Sequence, residues 1–143
     1  MENYQVRDIS LAPSGHRKIQ WVRENMPLLR GLEEEFKETK PFEGVKISLS
    51  VHLEAKTAYL CLVLAAGGAD MSVTGSNVLS TQDDVAAALA DDGLKVFAYH
   101  GATADEYEKH IEMCLSHKPN IVIDDGADLV SFLHEKRPDL MEE

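Results

Sequence analysis

The feature that most constrains this chain is a regular alternation of short apolar runs and helix-like segments from residue 45 onwards. The apolar runs contain β-branched residues and end in polar residues or glycine, as buried strands do. Strands separated by helices of this length pair in parallel, because each crossover between them is right-handed. The sequence therefore predicts an α/β fold with an open, mainly parallel, doubly wound sheet of the Rossmann or flavodoxin-like kind and helices on both faces.

The boundaries of these elements follow from turn and capping signals. Strands are predicted within residues 45–51, 69–75, 95–99 and 120–126, and helices within residues 54–68, 80–92, 103–117 and 127–135. Ser80 with Asp83, and Thr103 with Glu106, have the spacing of a capping box, in which each side chain bonds the other residue's backbone N–H. We therefore expect Ser80 and Thr103 to be the N-caps of two helices.

Residues 1–41 are polar, with apolar side chains at helical spacing, and we predict an N-terminal helical segment there. Ser14 is the candidate N-cap of its first helix. Pro27 starts a second helix, because proline is tolerated in the first turn of a helix but not in the interior. The predicted organisation is a single domain, 1–143, in which segment 1–41 precedes an α/β core at 42–143.

Composition excludes several classes of function. The chain has 14 Lys and Arg against 25 Asp and Glu, a formal net charge of −11 that would repel nucleic acids and anionic membranes. No apolar run is long enough to span a bilayer, and the N-terminal residues lack the signal-peptide pattern. Cys61 and Cys114 lie far apart and suggest neither a disulfide framework nor a metal pair. We expect a reduced, cytoplasmic protein with no nucleic-acid partner, no membrane partner and no bound metal.

The strand ends carry the candidate functional residues. In an open α/β sheet, ligands bind outside the carboxyl ends of the strands. The polar residues that follow the four predicted strands are His52, Glu54 and Lys56; Ser76, Asn77 and residues 80–83; residues 99–103; and Asp124, Asp125 and Asp128. Most have a simpler structural explanation, such as a helix cap or an ordinary turn, but Thr81 and Gln82 do not. The sequence alone thus predicts a cleft for a polar small molecule.

Other functional motifs are missing from the sequence. The segment "GGADMSVTG" lacks the G-x-G-x-x-G order of a phosphate loop, and no Gly-x-Ser-x-Gly elbow or metal-ligand spacing occurs. A receiver-type regulatory domain needs an acidic pair after its first strand, where this chain has His52. The remaining histidines of the helical stretches, expected to be solvated, are His16, His110, His117 and His134.

Several segments, in order and over nearly the whole chain, resemble one known family. They are "VRDISLAPSGHRKIQWVRENMPLL", "VHLEAKTA", "GSNVLSTQDDVAAALA", "VFAYHGAT", "EYEKHIEMCL" and "IVIDDGADLVSFLH". Together they resemble the N-terminal, substrate-binding part of S-adenosylhomocysteine hydrolase. The "HLEAKT" version is similar to the archaeal and thermophilic bacterial branch of that family.

The resemblance implies a reaction that depends on tightly bound NAD. In this family NAD oxidises the 3′-hydroxyl of the substrate ribose, which acidifies the neighbouring C–H bond. Homocysteine is then eliminated from the 5′ carbon, water adds, and the ketone is reduced again. The net reaction is reversible hydrolysis of S-adenosylhomocysteine, a nucleoside thioether, to adenosine and homocysteine. The family enzyme is usually a homo-oligomer, a dimer or a tetramer.

The resemblance also implies roles for individual residues. His52 would be the acid/base group near the 5′ carbon, since imidazole exchanges protons near neutral pH. Asp125 would lie close to the ribose and assist proton movement, while Asp124 and Asp128 would fix the turn. The residues implied in substrate binding are Glu54, Thr57, Asn77, Ser80, Thr81 and Gln82.

Two departures from the family pattern leave alternatives open. Glu54 and Lys56 stand where the animal-type enzymes have threonine and glutamate, and part of the archaeal branch prefers the inosine analogue. The chain also stops at Glu143, before the family's NAD-binding domain, so we expect this chain alone to be inactive. The alternative functions are an S-inosylhomocysteine hydrolase, or a stand-alone, non-catalytic nucleoside-binding module.

Overall fold

Five strands and six α-helices form residues 3–141, the part of the chain that this computed structural model describes. The ends of the predicted 1–143 domain lie outside these described residues. The strands are β1 (Tyr4–Val6), β2 (Lys46–Val51), β3 (Asp70–Gly75), β4 (Lys95–Ala98) and β5 (Ile121–Asp124). The helices are α1 (Ala12–Asn25), α2 (Pro27–Thr39), α3 (Ala55–Ala66), α4 (Asp83–Asp91), α5 (Ala104–Leu115) and α6 (Asp128–Lys136). None of these helices combines the length and the apolar character needed to cross a lipid bilayer.

All strand pairs of the sheet are parallel, and the strands lie in the order β1-β4-β3-β2-β5. Helices α3 and α4 pack on one face, with α1 and α2 outside them, and α5 and α6 pack on the other face. The prediction of an open, parallel, doubly wound α/β fold is therefore confirmed. The strand order changes direction at β2, between β3 and β5, and such a switch point is where these sheets bind ligands.

Strand β1 was not predicted from the sequence. Its residues pair with the edge of β4, with Tyr4 opposite Val96 and Val6 opposite Ala98. A strand of three residues shows too little alternation to be recognised by its pattern. Its extended conformation therefore depends on the hydrogen bonds that β4 offers, and not on local preference.

The N-terminal helices follow the predicted division but not the predicted start. Helix α1 ends at Asn25 and α2 begins at Pro27, as expected from the proline. The prediction that Ser14 caps α1 is wrong, because α1 begins at Ala12. The Ser14 hydroxyl instead donates to Asp84 Oδ2 at 2.7 Å. A residue with capping chemistry therefore joins two helices that are distant in the sequence.

Helices α1 and α4 contact each other almost backbone to backbone. A Cβ atom added at Gly15 would overlap the backbone oxygen of Asp84 and lie 2.8 Å from the Cβ of Ala88. Residues 85–90 of α4 are all buried, four of them alanine, so this face of α4 leaves room for α1. Asp84 also accepts a hydrogen bond from Lys18, with 2.8 Å between Nζ and Oδ2. The run of small residues in α4 is thus required by the close approach of α1.

A buried carboxylate attaches the N-terminal helices to α3. The hydroxyl of the fully buried Tyr59 donates to Glu33 Oε2 at 2.6 Å, and Arg23 and Lys37 each approach the same carboxylate at 3.2 Å. Burial favours the protonated acid, but the hydrogen bonds from Tyr59 and Lys37 and the charge of Arg23 outweigh it and lower the pKa of Glu33. Burial and this carboxylate raise the pKa of Tyr59 to about 12. The pair stays donor and charged acceptor at neutral pH.

We predict that Gly15→Ala destabilises the protein while Gly31→Ala does not. The added methyl group at Gly15 must push α1 away from α4, which is expected to lower the free energy of unfolding by about 1–3 kcal/mol. Gly31 lies in α2 with open space around its Cβ position, so alanine there should be neutral or stabilise by up to about 1 kcal/mol. Urea unfolding of both variants measures the difference. Equal losses would contradict the close helix contact.

Candidate functional site

His52 and Asp125 leave the sheet at the carboxyl ends of two neighbouring strands. In the β2–β5 pair, Ser50 is in register with Asp124, and the N–H of Asp125 donates to the Ser50 oxygen at 3.2 Å. His52 directly follows Val51, the last residue of β2. Because paired strands lie about 4.8 Å apart, the two residues begin side by side at the switch point of the sheet.

The ring of His52 is held by a serine through one of its nitrogens. His52 Nδ1 lies 2.6 Å from Ser80 Oγ, and the Ser80 hydroxyl donates to the Asn77 backbone oxygen at 3.1 Å. Where the Ser80 hydroxyl gives its proton to Asn77, Ser80 Oγ can accept a hydrogen bond from Nδ1–H of the ring. In that tautomer, the lone pair of Nε2 stays open to another partner. The His52 side chain is exposed, so a ligand can reach this nitrogen.

The prediction that Ser80 and Asp83 form a capping box is wrong. Helix α4 begins at Asp83, its N-cap is Gln82, and no side chain caps it. Ser80 lies two residues before the N-cap, and its hydroxyl contacts His52 and Asn77 instead. The Asp83 carboxylate instead accepts a hydrogen bond from the His100 N–H at 2.9 Å, so it ties the loop after β4 to the start of α4.

The polar residues of the turn between β3 and α4 form hydrogen bonds that keep Ser80 in place. Thr81 is buried, and its hydroxyl donates to the Asn77 oxygen at 3.0 Å. Thr81 packs so tightly that a Cβ at Gly75 would lie 2.5 Å from its Oγ1. The Gln82 N–H donates to the Leu53 oxygen at 3.0 Å, which joins this turn to the loop that carries His52. The turn and the histidine loop are therefore one hydrogen-bonded unit.

Glu54, Thr57 and Gln82 lie at the start of α3 and along an adjacent groove. Glu54 is the N-cap of α3 and accepts from the Thr57 N–H at 2.9 Å. Thr57 is only 9% exposed, so little of it can meet a ligand. The groove has a volume of about 340 Å³, and its lining residues are Lys18, Trp21, Val22, Glu54, Ala55, Lys56 and Gln82. Two of the predicted binding residues, Glu54 and Gln82, therefore share a groove with two lysines and with an exposed tryptophan.

The three aspartates after β5 have different surroundings. Asp124 Oδ2 accepts from the Val130 N–H at 3.0 Å, and Asp128 Oδ2 accepts from the Tyr107 hydroxyl at 2.8 Å. Both carboxylates therefore hold the turn and the start of α6. The Asp125 side chain is exposed at the edge of the sheet. Of the three, Asp125 is the carboxylate most open to a ligand.

The sequence placed His100 among the polar residues after β4 without giving it a role, and it gave no role to Tyr107 and misjudged His110. His100 Nδ1 lies 2.9 Å from the Thr81 oxygen, and Tyr107 contacts Asp128 as described above. Their only signals were the polar stretch after β4 and an aromatic residue one turn into α5. The prediction that His110 is solvated is wrong, since it is 2% exposed and its ring packs edge-on against Tyr99 with 4.6 Å between centroids. Burial lowers the pKa of His110.

A larger groove lies away from the strand ends. Its volume is about 600 Å³, and its lining residues are His16, Arg17, Ile19, Gln20, Trp21, Arg23, Glu24, Leu62 and Asp92. These residues come from α1, from α3 and from the end of α4, and the predicted site residues are not among them. Size alone therefore does not identify the site, and the convergence of polar groups at the sheet edge carries more weight.

The helix starts at this edge do not suit the diphosphate of a dinucleotide. Such a group binds free N–H donors at a helix start, where the helix dipole is positive. Here an acid stands at the N-cap or in the first turn of each helix that follows a strand of the core. The acids are Glu54 for α3, Asp83 and Asp84 for α4, Asp105 and Glu106 for α5, and Asp128 for α6. The described residues therefore do not fit NAD.

Comparison with known proteins gives the same family throughout. The family model of S-adenosyl-L-homocysteine hydrolase matches residues 3–142. The chain is 53% identical over 139 residues to the S-inosyl-L-homocysteine hydrolase of Methanocaldococcus jannaschii, covering 97% of this chain and 34% of that protein. It is 53% identical over 141 residues to the adenosylhomocysteinase of Pyrococcus abyssi, covering 99% and 33%.

A third relative, the adenosylhomocysteinase of Gloeothece citriformis, is 46% identical over 137 residues, covering 95% of this chain and 32% of that protein. The chain thus spans about a third of the length of the curated relatives that it matches. The match runs through both the His52 loop and the aspartates after β5. On these grounds the chain belongs to the S-adenosyl-L-homocysteine hydrolase family.

Proposed function

We propose that this chain forms the substrate-binding portion of an enzyme that reversibly hydrolyses S-adenosylhomocysteine to adenosine and homocysteine. The observation that carries the proposal is the exit of His52 and Asp125 from adjacent strands at the switch point, in a chain of this family. In an open sheet this is where a nucleoside fits. The complete enzyme is proposed to be a cytoplasmic homo-oligomer, which would cover exposed apolar side chains such as Leu28 and Leu79.

His52 is proposed to exchange the proton at the 5′ carbon of the substrate. With Nδ1–H donated to Ser80, a protonated Nε2 gives its proton to the leaving thiolate, and the Nε2 lone pair then accepts a proton from the incoming water molecule. Asp125 is proposed to accept hydrogen bonds from the ribose hydroxyls, because a carboxylate is a strong acceptor for O–H donors. Neither residue changes an oxidation state, so the two complete only part of the reaction cycle.

The proposed substrate class is a nucleoside without a phosphate group. The acids at the helix starts would repel a phosphate at the sheet edge, and the chain as a whole carries a net charge of −11. S-adenosylhomocysteine and adenosine have no phosphate. NAD belongs to the proposed complete enzyme and would be held outside the described residues, whose helix starts do not fit its diphosphate.

The second candidate is hydrolysis of S-inosylhomocysteine. Lys56 and Glu54 line the same groove, so a cationic donor and a carboxylate acceptor are both available to the edge of a purine. Hypoxanthine offers a carbonyl oxygen to a lysine and an N–H to a carboxylate, and this pairing supports the inosine compound. The relative from Methanocaldococcus jannaschii carries that name, and the relative from Pyrococcus abyssi carries the adenosine name.

We predict that Asp125→Ala weakens adenosine binding by this chain about tenfold or more, because the ribose loses a charged acceptor. Calorimetry with adenosine measures the affinity of wild type and variant. The matched control is Asp105→Ala, which removes an equal charge from the exposed first turn of α5 and should leave the affinity unchanged. Equal affinity of wild type and the Asp125 variant would remove Asp125 from the site.

We predict that the purified chain, supplied with S-adenosylhomocysteine and NAD, releases no homocysteine. The physical reason is that the described residues provide no place for the NAD diphosphate, so the ribose is not oxidised. A thiol reagent measures homocysteine, and the adenosylhomocysteinase of Pyrococcus abyssi serves as the active control. Any release of homocysteine above the rate without protein would contradict the prediction that this chain alone is inactive.

We predict that the chain binds adenosine more tightly than inosine, as the first candidate requires. A competition titration compares the two affinities. The comparison variant is Lys56→Met, which keeps the length of the side chain and removes its N–H donors. Tighter binding of inosine in the wild type, with loss of that preference in the variant, would establish the second candidate instead.

A further inference from the structure

Tyr107 bridges two loops at the carboxyl edge of the sheet. Its hydroxyl lies 2.8 Å from Asp128 Oδ2 and 3.2 Å from the backbone oxygen of Ser76. Ser76 follows β3 and Asp128 is the first residue of α6, so the two contacts belong to different loops. One O–H proton serves both acceptors, and the shorter contact to the charged carboxylate is the stronger.

The first loop leads to the ring of His52. Next to Ser76 stands Asn77, whose backbone oxygen accepts the hydrogen bond from the Ser80 hydroxyl at 3.1 Å. Ser80 Oγ lies 2.6 Å from His52 Nδ1. The position of the backbone at Ser76 therefore influences where the imidazole is held.

The second loop carries Asp125 in a conformation that needs outside support. Ala127 has a φ of 63°, in the left-handed region that alanine rarely adopts. The Asp128 carboxylate folds under the turn, and a Cβ at Gly126 would lie 3.0 Å from its Oδ2. Backbone of this kind persists only where its surroundings hold it. The hydrogen bond from Tyr107 to Asp128 is one such restraint.

Tyr107 has the chemistry of a permanent donor. Its side chain is partly buried, one turn beyond the capping box that fixes the start of α5 between Thr103 and Glu106. Burial, the hydrogen bond to Asp128 and the charges of nearby carboxylates all raise the pKa of Tyr107. The phenol thus stays protonated throughout the neutral range and keeps both contacts.

We propose that Tyr107 is a positioning residue that fixes the separation between the Asp125 carboxylate and the His52 imidazole by joining their two loops. This inference rests on the proposed function, because it assumes that both groups act on one nucleoside. Tyr107 itself does not need to touch the ligand. If Tyr107 only stabilised α5, its substitution would not change how much a substitution in either loop affects nucleoside affinity.

The decisive experiment is a double-mutant cycle on adenosine affinity, measured by calorimetry on this chain. The four proteins are the wild type, Tyr107→Phe, Asp125→Ala and the double variant. Tyr107→Phe is expected to weaken binding roughly three- to tenfold, about the loss of one hydrogen bond. In the phenylalanine background the effect of Asp125→Ala should fall by that same three- to tenfold factor, so that the double variant binds no more weakly than Asp125→Ala alone. Equal effects of Asp125→Ala in both backgrounds would overturn the proposal.

A second measurement needs no ligand and so separates this inference from the proposed function. Hydrogen exchange of the backbone amides should become faster in both residues 76–82 and residues 124–130 when Tyr107 becomes Phe. The control Tyr99→Phe should change neither segment, since Tyr99 makes its contacts through the ring, with Arg7 and His110. Faster exchange in only one segment would overturn the bridge. Failure of the wild type to bind adenosine would contradict the proposed function. The exchange result would still show whether Tyr107 joins the two loops.

The acceptor side provides a rescue that does not alter Tyr107. Asp128→Asn retains a carbonyl oxygen for the phenol and should keep exchange within twofold of the wild type, whereas Asp128→Ala should behave like Tyr107→Phe. If the asparagine variant is as impaired as the alanine variant, the charge of Asp128 matters instead of its bond to Tyr107. That outcome would also overturn the bridge.

Discussion

The candidate site depends on one backbone pairing, the parallel contact between β2 and β5. The chain first builds β3 and β4 on one side of β2 and then returns to the other side to add β5. This return brings the loop of Asp125 beside the loop of His52, although the two are far apart in the sequence. The Asp125 N–H donates to the Ser50 oxygen and continues the pairing beyond the strand. A slip of one residue would turn the Asp125 side chain to the opposite face.

Around this pairing, side chains that could satisfy local helix ends are used for contacts between loops. Ser80 could cap α4 but instead holds the ring of His52, and Asp83 accepts from the loop after β4. Helix α4 thus begins without a side-chain cap, a loss of about 1 kcal/mol in a typical helix. Helix α4 also packs closely against α1 at Gly15. Ser80 thus helps to place the imidazole of His52 and does not stabilise the start of α4.

Local and non-local origins also explain what could be predicted from the sequence. The order of strands and helices in the core could be read, because apolar periodicity and the capping box of Thr103 and Glu106 are local signals. Strand β1, the role of Ser14 and the burial of His110 could not, because each depends on a partner distant in the sequence. At the site, the sequence predicted which polar residues follow which strands. The contact between Tyr107 and Asp128 was not predicted, since it joins two segments that are distant in the sequence.

Electrostatics then determines how such an edge can recognise a ligand. Each helix that starts there carries its own acid, so the positive end of every helix dipole is already balanced by a side chain. A field of this kind cannot draw in an anion, and a ligand without phosphate must be selected by hydrogen bonds. Hydrogen bonds are directional and weaken within a few tenths of an ångström. If His52 and Asp125 bind such a ligand as proposed, their supporting loops must place them rigidly, because no strong charge attraction compensates for misplacement.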